Sequence, residues 1–188
     1  KIREELKLQD KVIFVFGGNL GFAQDVENLQ RLVYRAIEND LIHFLFIGEG
    51  TEYSNIKVWI EKNCIQNINL LPAVSDIEYQ SILKECDVGI ISLRGTFKTD
   101  NFPNKIMNYM QYELPILASI NSGSDLGKLI SENAIGLVST NGDDEKFFNN
   151  AKSLLDDDKR AEMGSNGKKL LQKKFNVESA ARKILDST

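Results

Sequence analysis

Apolar and polar positions along this chain follow two patterns, one typical of buried strands and one typical of amphipathic helices. Residues 12–16 form a continuous apolar run that ends at Gly17 and Gly18, as expected for a strand that is buried on both faces and followed by a glycine turn. Apolar residues then recur at helical spacing over 26–37, and a second apolar run covers 41–47. This order of strand, helix and strand predicts a βαβ unit.

The same alternation continues to residue 139 and predicts the fold class. Strands that alternate with helices of about ten to fifteen residues form parallel sheets with helices on both faces. We therefore predict an α/β fold with a doubly wound, parallel six-stranded sheet and extra C-terminal helices. The further strands are expected at 68–71, 88–92, 116–119 and 136–139, the intervening helices near 53–63, from Ser75, at 104–112 and near 125–132, and the final helical patterns around 147–155, 170–175 and 177–185.

Composition and charge then exclude several functional classes. The 23 Lys and Arg residues are outnumbered by 27 Asp and Glu, and the net charge of −4 provides no basic field for nucleic acid or an anionic membrane. No apolar run approaches the roughly 18 residues needed to span a bilayer. We expect Cys64 and Cys86 to lie in apolar surroundings, and because they lack C-x-x-C spacing, a reducing compartment is favoured over a disulfide scaffold or a zinc site. We expect one soluble, cytoplasmic domain, with at most peripheral contact at the inner face of the membrane, and we interpret the start at Lys1 as the mark of a fragment.

In an open α/β sheet, ligands bind where strands end and loops begin, so the loops that follow the strands carry the functional signal. The first such loop reads Gly17-Gly18-Asn19-Leu20-Gly21, in which glycines allow positive φ and close approach of the backbone to a ligand. Its spacing does not match the G-x-G-x-x-G fingerprint of dinucleotide sites. A plain tight turn between strand and helix remains the alternative.

A longer loop follows the fourth predicted strand, over residues 93–105, and enters a helix. Pro103 suits a first-turn position and Asn104 is a capping type, so unpaired main-chain N–H groups are expected there and could bind an anion. Arg94, Lys98 and Lys105 could add positive charge around that helix terminus. The alternative is a surface loop with an exposed polar helix face, formed by Asn104, Asn108 and Gln111.

Two other candidate sites have simpler structural interpretations. Residues 156–158 are three consecutive aspartates, which could hold Mg²⁺, but their place between two helical patterns favours a polar turn. His43 lies inside an apolar run, where a hydrogen-bonded core histidine is favoured over a metal or catalytic role.

Several motifs together resemble those of a known family. Residues 101–109 (NFPNKIMNY), followed by 113–118 (ELPILA), resemble the signature of family-4 retaining glycosyltransferases, in which a P-S-K motif precedes E-Y and G-x-P-V-L-A. The similarity is strongest to the bacterial polysaccharide type. Supporting matches run in family order along nearly the whole chain, at 16–21, 47–50, 86–90, 136–138 and 163–164.

The resemblance implies a GT-B enzyme with two Rossmann-like domains, of which this chain would be the C-terminal one, residues 1–188 forming the nucleotide-sugar (donor) binding domain. An N-terminal acceptor-binding domain would lie outside the chain. The implied activity is that of a hexosyltransferase, which moves a sugar from a UDP-sugar with retention to a saccharide or lipid-linked acceptor in surface polysaccharide synthesis. No cofactor and no metal are expected, and no residue is singled out as catalytic.

The resemblance also implies roles for individual residues. The loop after the first strand would face the diphosphate or the sugar, the segment after the third strand would lie beside the base, the turn at 100–105 would hold phosphate and sugar, and position 108 would meet the ribose. Together with the cations named above, the implied donor-binding residues are Gly17, Gly18, Asn19, Leu20, Ala73, Val74, Arg94, Lys98, Asp100, Asn101, Phe102, Pro103, Asn104, Lys105 and Asn108.

The chain departs from the family pattern at two places. The paired glutamates of the family correspond to Asp100 and Asn108, and an amide at position 108 can hydrogen-bond a ribose hydroxyl only without charge. The lysine that many members carry after the first glycine loop has no counterpart at positions 22–25. Two other functions therefore stay open, a non-catalytic nucleotide-sugar binding module and a nucleotide-sugar epimerase of the same fold.

Overall fold

A computed structural model of the chain describes residues 1–95 and 104–174, and these contain one six-stranded parallel sheet. Its strands lie in the order third, second, first, fourth, fifth, sixth, so the predicted doubly wound sheet is confirmed. In chain order the strands are β1 (Val12–Asn19), β2 (Ile42–Glu49), β3 (Ile68–Leu71), β4 (Val88–Ser92), β5 (Ile116–Ile120) and β6 (Gly136–Thr140).

Helices cover both faces of this sheet, as expected when every connection is a crossover between parallel strands. One face carries α2 (Val26–Arg35), α3 (Tyr53–Lys62) and α7 (Asp144–Ser153). The opposite face carries α1 (Ile2–Glu5), α4 (Asp76–Leu83), α5 (Asn104–Gln111) and α6 (Asp125–Glu132), and α8 (Asp157–Lys174) packs against α5. The helix predicted around 177–185 lies outside the described residues.

Each face of the sheet has its own apolar core. On the α2 side, the rings of β1 and β2 pack in tilted pairs, with centroids 5.7 Å apart for both Phe14–Phe44 and Phe16–Phe46. His43 is buried in β2, and its Nε2 lies 2.8 Å from Asn69 Oδ1, which confirms the prediction of a hydrogen-bonded core histidine. Burial lowers the pKa of His43, so the neutral ring is favoured.

Two local predictions were wrong. The first strand does not end at residue 16, because Gly17, Gly18 and Asn19 continue the pairing with β2, opposite the residues Ile47 to Glu49. The turn therefore begins after Asn19, and β2 itself runs on to Glu49. Cys64 is exposed at the end of α3 and does not lie in apolar surroundings, whereas Cys86 is buried as expected.

The sheet changes winding direction between β1 and β4, and this position shapes the site. The two strands pair only at Phe14 with Val88 and Val15 with Gly89, and then separate toward their carboxyl ends. The helix that follows β1 lies on one face and the helix that follows β4 lies on the other. Such a switch point leaves a crevice between the two strand ends, which is where open α/β sheets bind ligands.

Candidate functional site

The β1 side of the crevice is a glycine-rich strand end. Gly18 has φ +109°, is exposed, and has nothing within 4 Å of the place where a Cβ would lie. Behind it, Gly48 of β2 is packed so tightly that a Cβ there would lie 1.8 Å from the carbonyl oxygen of Gly18. The two glycines let the strand ends pack backbone to backbone and leave the backbone of Gly18 open to a ligand.

The β4 side of the crevice carries Lys105, which lies in the first turn of α5 and reaches over the end of β1. Its Nζ donates to Gln24 Oε1 at 3.1 Å and lies 3.8 Å from the centroid of the Phe16 ring. No carboxylate of residues 1–95 or 104–174 lies within 4.0 Å of this ammonium. Burial lowers the pKa of Lys105 to about 7, because the surroundings solvate the charge poorly. The crevice thus contains a cation without a counter-charge from the described chain.

Arg94, the other predicted cation that the structure describes, has counter-charges of its own. Its Nη2 lies 3.0 Å from Glu27 Oε2 and 3.4 Å from Asp25 Oδ1, and its Nε donates to the carbonyl oxygen of Phe22 at 3.1 Å. The guanidinium also stacks 4.0 Å above the Phe22 ring. Arg94 is thereby fixed within the wall of the crevice, and its predicted role toward phosphate stays a prediction.

Asn141, in the loop after β6, connects three strand ends. Its Nδ2 donates to Asp25 Oδ2 at 2.8 Å, and its Oδ1 accepts from the N–H of Gly95 at 3.1 Å. Asp25 has φ +46° at the start of α2, so the bonds to Arg94 and Asn141 stabilise an unfavourable backbone conformation. The loop after β4 is thus tied to the loop after β1.

The remaining predicted residues lie around the same end of the sheet. Asn19 is exposed at the tip of β1, while Leu20 is buried and its N–H donates to the carbonyl oxygen of Glu49 at 2.8 Å. Ala73 and Val74 follow β3, at the edge of the sheet, and Ser75 then caps α4 as predicted, accepting from the N–H of Glu78.

On α5, the predicted polar face is confirmed, because Asn104 is exposed and Asn108 half-buried, while Ile106 and Met110 are buried. These placements are compatible with the implied contacts but do not test them. Five of the predicted site residues lie outside the described residues: Lys98, Asp100, Asn101, Phe102 and Pro103.

Sequence reasoning missed two tyrosines that lie beneath the crevice. A Cβ on Gly17 would lie 2.0 Å from the Tyr79 hydroxyl, and a Cβ on Gly89 would lie 2.4 Å from the Tyr109 ring. The Tyr109 hydroxyl is 3.3 Å from the carbonyl oxygens of Val15 and Ile90, close to where the pairing of β1 and β4 ends. Burial raises the pKa of Tyr79 to about 12 and that of Tyr109 well above its usual value, so both hydroxyls stay protonated.

One sequence signal could have pointed to Tyr109. It lies four residues after Lys105, so the two side chains project from the same face of α5. No comparable signal marks Gln24 or Phe16 as partners of Lys105, because those contacts join parts of the chain that are distant in sequence.

The structure describes no metal centre. Across residues 1–95 and 104–174, His, Cys, Asp and Glu side chains form no group of three that could hold a metal ion. Asp156 accepts from the N–H of Lys159 at 3.0 Å at the start of α8, and Asp157 pairs with Arg160. The prediction of a polar turn was wrong for two of the three aspartates: Asp156 precedes α8, whereas Asp157 and Asp158 form its first turn, where carboxylates favour the helix dipole. Within the same residues, no helix has the length and apolar character required to cross a bilayer.

Comparison with known families decides the identity of the domain. Residues 1–170 match the family model described as glycosyl transferases group 1. The chain belongs to this glycosyltransferase family. The matched residues include Gly17 and Gly18 at the end of β1, Arg94 with its acidic partners, and all of α5.

A curated relative of this group 1 chain is the probable glycosyltransferase WbjE of Pseudomonas aeruginosa. The two are 27% identical over 126 residues, which is 67% of this chain and 31% of WbjE. The chain therefore spans about a third of the length of this relative.

Solved glycosyltransferase structures share the fold. A complex of TarM from S. aureus with fondaparinux, alpha-GlcNAc-glycerol and UDP matches with a TM-score of 0.78 at 20% identity, over 95% of this chain and 35% of TarM. Anabaena HepE in complex with UDP-glucose matches with a TM-score of 0.76 at 16% identity, over 99% of this chain and 50% of HepE. The group 1 chain thus has the Rossmann-like α/β architecture of GT-B glycosyltransferases.

Proposed function

We propose that this chain is the donor-binding, C-terminal half of a retaining family-4 glycosyltransferase and that its ligand is a UDP-sugar. The glycine strand end and Lys105 face one crevice at the switch point of the sheet, where this class of fold binds ligands. Family membership and the complexes of TarM with UDP and of HepE with UDP-glucose support a nucleotide-sugar ligand.

The observation that carries this proposal is the surroundings of the Lys105 ammonium. A half-buried, poorly solvated cation is costly unless a counter-charge compensates it, and the described chain supplies only an amide oxygen and an aromatic face. A diphosphate in the crevice would provide the missing negative charge. Lys105 would then neutralise the phosphates, and Gly18 would let the backbone approach them closely.

The contribution of this domain to transfer is positioning and charge stabilisation. When the sugar leaves the nucleotide, negative charge develops on the departing diphosphate, and a fixed cation stabilises it more effectively than water does. Asn108 would hydrogen-bond the ribose, and Ala73 and Val74 would lie beside the base. Because a cation and helix-terminal N–H groups can do the work of Mg²⁺, we expect the reaction to need no metal.

The acceptor side is proposed to lie outside this chain. The match covers about a third of WbjE and half of HepE, which leaves room in both proteins for a further domain. The acceptor would be a saccharide or lipid-linked saccharide of a bacterial surface polysaccharide, and the transferred sugar a hexose. The chain alone is then expected to bind the donor without transferring the sugar.

Calorimetric titration with UDP, UMP and uridine tests the phosphate assignment. We expect Lys105→Ala to weaken UDP binding by at least about tenfold, because a desolvated charge contact is lost, and to leave uridine binding nearly unchanged. Lys57→Ala, which removes an exposed lysine from α3, is the matched control and should alter neither affinity.

The titrations distinguish failure of the Lys105 assignment from failure of the proposed function. Equal losses for UDP and uridine would refute the assignment of Lys105 to the phosphates, and failure of the unmodified chain to bind any of the three would refute the proposed function. Parallel titrations with GDP and ADP identify the base, and tighter binding of either one would replace uridine in the proposal.

A further inference from the structure

The contact between Gln24 and Lys105 joins the two sides of the crevice. Gln24 ends the short 3₁₀ helix Phe22–Gln24 that follows β1, and Lys105 lies in the first turn of the helix that follows β4. The Lys105 Nζ donates to Gln24 Oε1 at 3.1 Å, although the two residues are 81 positions apart in the chain. The contact therefore depends on the assembled switch point.

The chemistry of the two groups fixes the orientation of the amide. An ammonium has three donors and no acceptor, so only the oxygen of the Gln24 carboxamide can face it. A second side of the ammonium faces the Phe16 ring at 3.8 Å, which contributes a cation–π interaction. Together these contacts hold the ammonium over the carboxyl end of β1 without neutralising it.

None of the charged side chains that the structure describes on the neighbouring elements compensates Lys105. Asp25 and Glu27 both lie within ion-pair distance of Arg94, and Asp25 also accepts from Asn141. Glu49, at the end of β2, is exposed and makes no ion pair within the described part of the chain. Asp25, Glu27 and Glu49, the described acidic groups beside the crevice, are thus either already paired or exposed to solvent.

We infer that Gln24 is a positioning residue, whose neutral carboxamide holds the Lys105 ammonium at the crevice so that its full charge is available to the diphosphate of the donor. The inference rests on the proposed function of the same site. It adds that neutrality at position 24 is required: an acceptor is needed to orient the ammonium, but a charged acceptor would compete with the ligand.

Gln24→Glu is the sharpest test, because it keeps the size and reach of the side chain and adds one negative charge. The new carboxylate would form an ion pair with Lys105, so we expect UDP to bind at least about tenfold more weakly. The same ion pair compensates a buried cation, so we expect the midpoint of urea unfolding to rise. A role of Gln24 in folding alone predicts that affinity and stability fall together.

Gln66→Glu is the matched control, since it makes the same chemical change at an exposed position near the amino end of β3. It should leave UDP affinity unchanged. Gln24→Met is the second variant, which keeps the apolar stem and removes the oxygen, and it should also weaken UDP binding several-fold. UDP affinity unaffected by both Gln24 variants would overturn the inference while leaving the proposed function intact.

A measurement without nucleotide keeps the two proposals separable. The ¹³Cε signal of Lys105 reports its protonation, and burial lowers the pKa of Lys105 to about 7 in the unmodified chain. We expect the titration midpoint of this signal to rise by more than one pH unit in Gln24→Glu and to stay constant in Gln66→Glu. An unchanged midpoint in Gln24→Glu would overturn the inference, whether or not the chain binds UDP.

Discussion

Two cations lie at opposite ends of the same sheet, and their surroundings differ in kind. At the amino ends of the strands, the Arg3 guanidinium donates to three main-chain carbonyl oxygens and to Asp87 Oδ2, all within 3.1 Å. The same Asp87 oxygen accepts from the N–H of Ile13 at 2.7 Å. At the carboxyl ends, Lys105 contacts one amide oxygen and one aromatic face among the residues that the structure describes.

Under the proposed function, the difference separates an end of the sheet that stabilises the fold from an end that binds the donor. Arg3 is saturated with partners and connects α1 to the starts of β1 and β4, so its interactions are complete within the described chain. The Lys105 ammonium is poorly solvated and has no counter-charge among residues 1–95 and 104–174, which costs stability and fits a place where binding needs an available charge. Substitution of Arg3 should therefore lower the free energy of unfolding, and substitution of Lys105 should raise it.

The largest expected effect on stability is that of Arg3→Met. The variant leaves Asp87 and several carbonyl groups without their donor, and we expect the free energy of unfolding to fall by about 2–3 kcal/mol. Urea denaturation measures this loss. UDP affinity should remain unchanged in the folded variant, because Arg3 is at the far end of the sheet.

Arg35→Met, at an exposed position in the last turn of α2, is the control for loss of a positive charge and should alter the free energy of unfolding by less than about 0.5 kcal/mol. If Arg3→Met lowered the free energy of unfolding as little as this control, the contacts of Arg3 with Asp87 and the carbonyl groups would not stabilise the amino end. The contrast between the two ends of the sheet would then be lost.

A smaller effect of opposite sign is expected for Lys105→Met. Below pH 7, where the buried ammonium is charged, the variant should be more stable than the unmodified chain by about 1–2 kcal/mol. The pKa of Lys105 is lowered to about 7, so from there up to the pKa of an unfolded lysine the unfolded chain binds more protons than the folded one. The stability of the unmodified chain should therefore rise with pH across that window, and the gap to the variant should close.

Urea denaturation at a series of pH values follows this gap. A variant that is less stable than the unmodified chain at pH 6, or a gap that widens with rising pH, would show that the ammonium is compensated in the folded state.

The fold could be predicted from the sequence because its signals are local and repeated. Each strand is a short apolar run, and each helix has apolar residues at helical spacing, so the order of elements fixes a parallel, doubly wound sheet. The first strand was predicted too short because Gly17 and Gly18 indicate a turn by composition. In the structure, the close approach of β2 at Gly48 keeps these glycines within the sheet.

The site was predictable only in outline. The sequence indicated that Lys105 lies near a helix start after β4, but its burial results from contacts with Gln24 and Phe16, which only the assembled sheet brings near. Arg94 was predicted as a free cation for the same reason, since its partners Asp25 and Glu27 follow β1, far away in sequence. The residue type predicts whether a side chain is charged, whereas the tertiary structure determines whether an opposite charge lies beside it.

Proton uptake on UDP binding tests the central claim, that Lys105 receives the diphosphate, most directly. At pH 8 the phosphates of UDP are already ionised, while the pKa of Lys105 at about 7 leaves most of its amino groups neutral. Calorimetry in two buffers with different ionisation enthalpies should therefore show an uptake of roughly one proton per bound UDP in the unmodified chain. The account predicts that this uptake is absent in Lys105→Met. Binding of UDP without uptake, or with the same uptake in the variant, would contradict it.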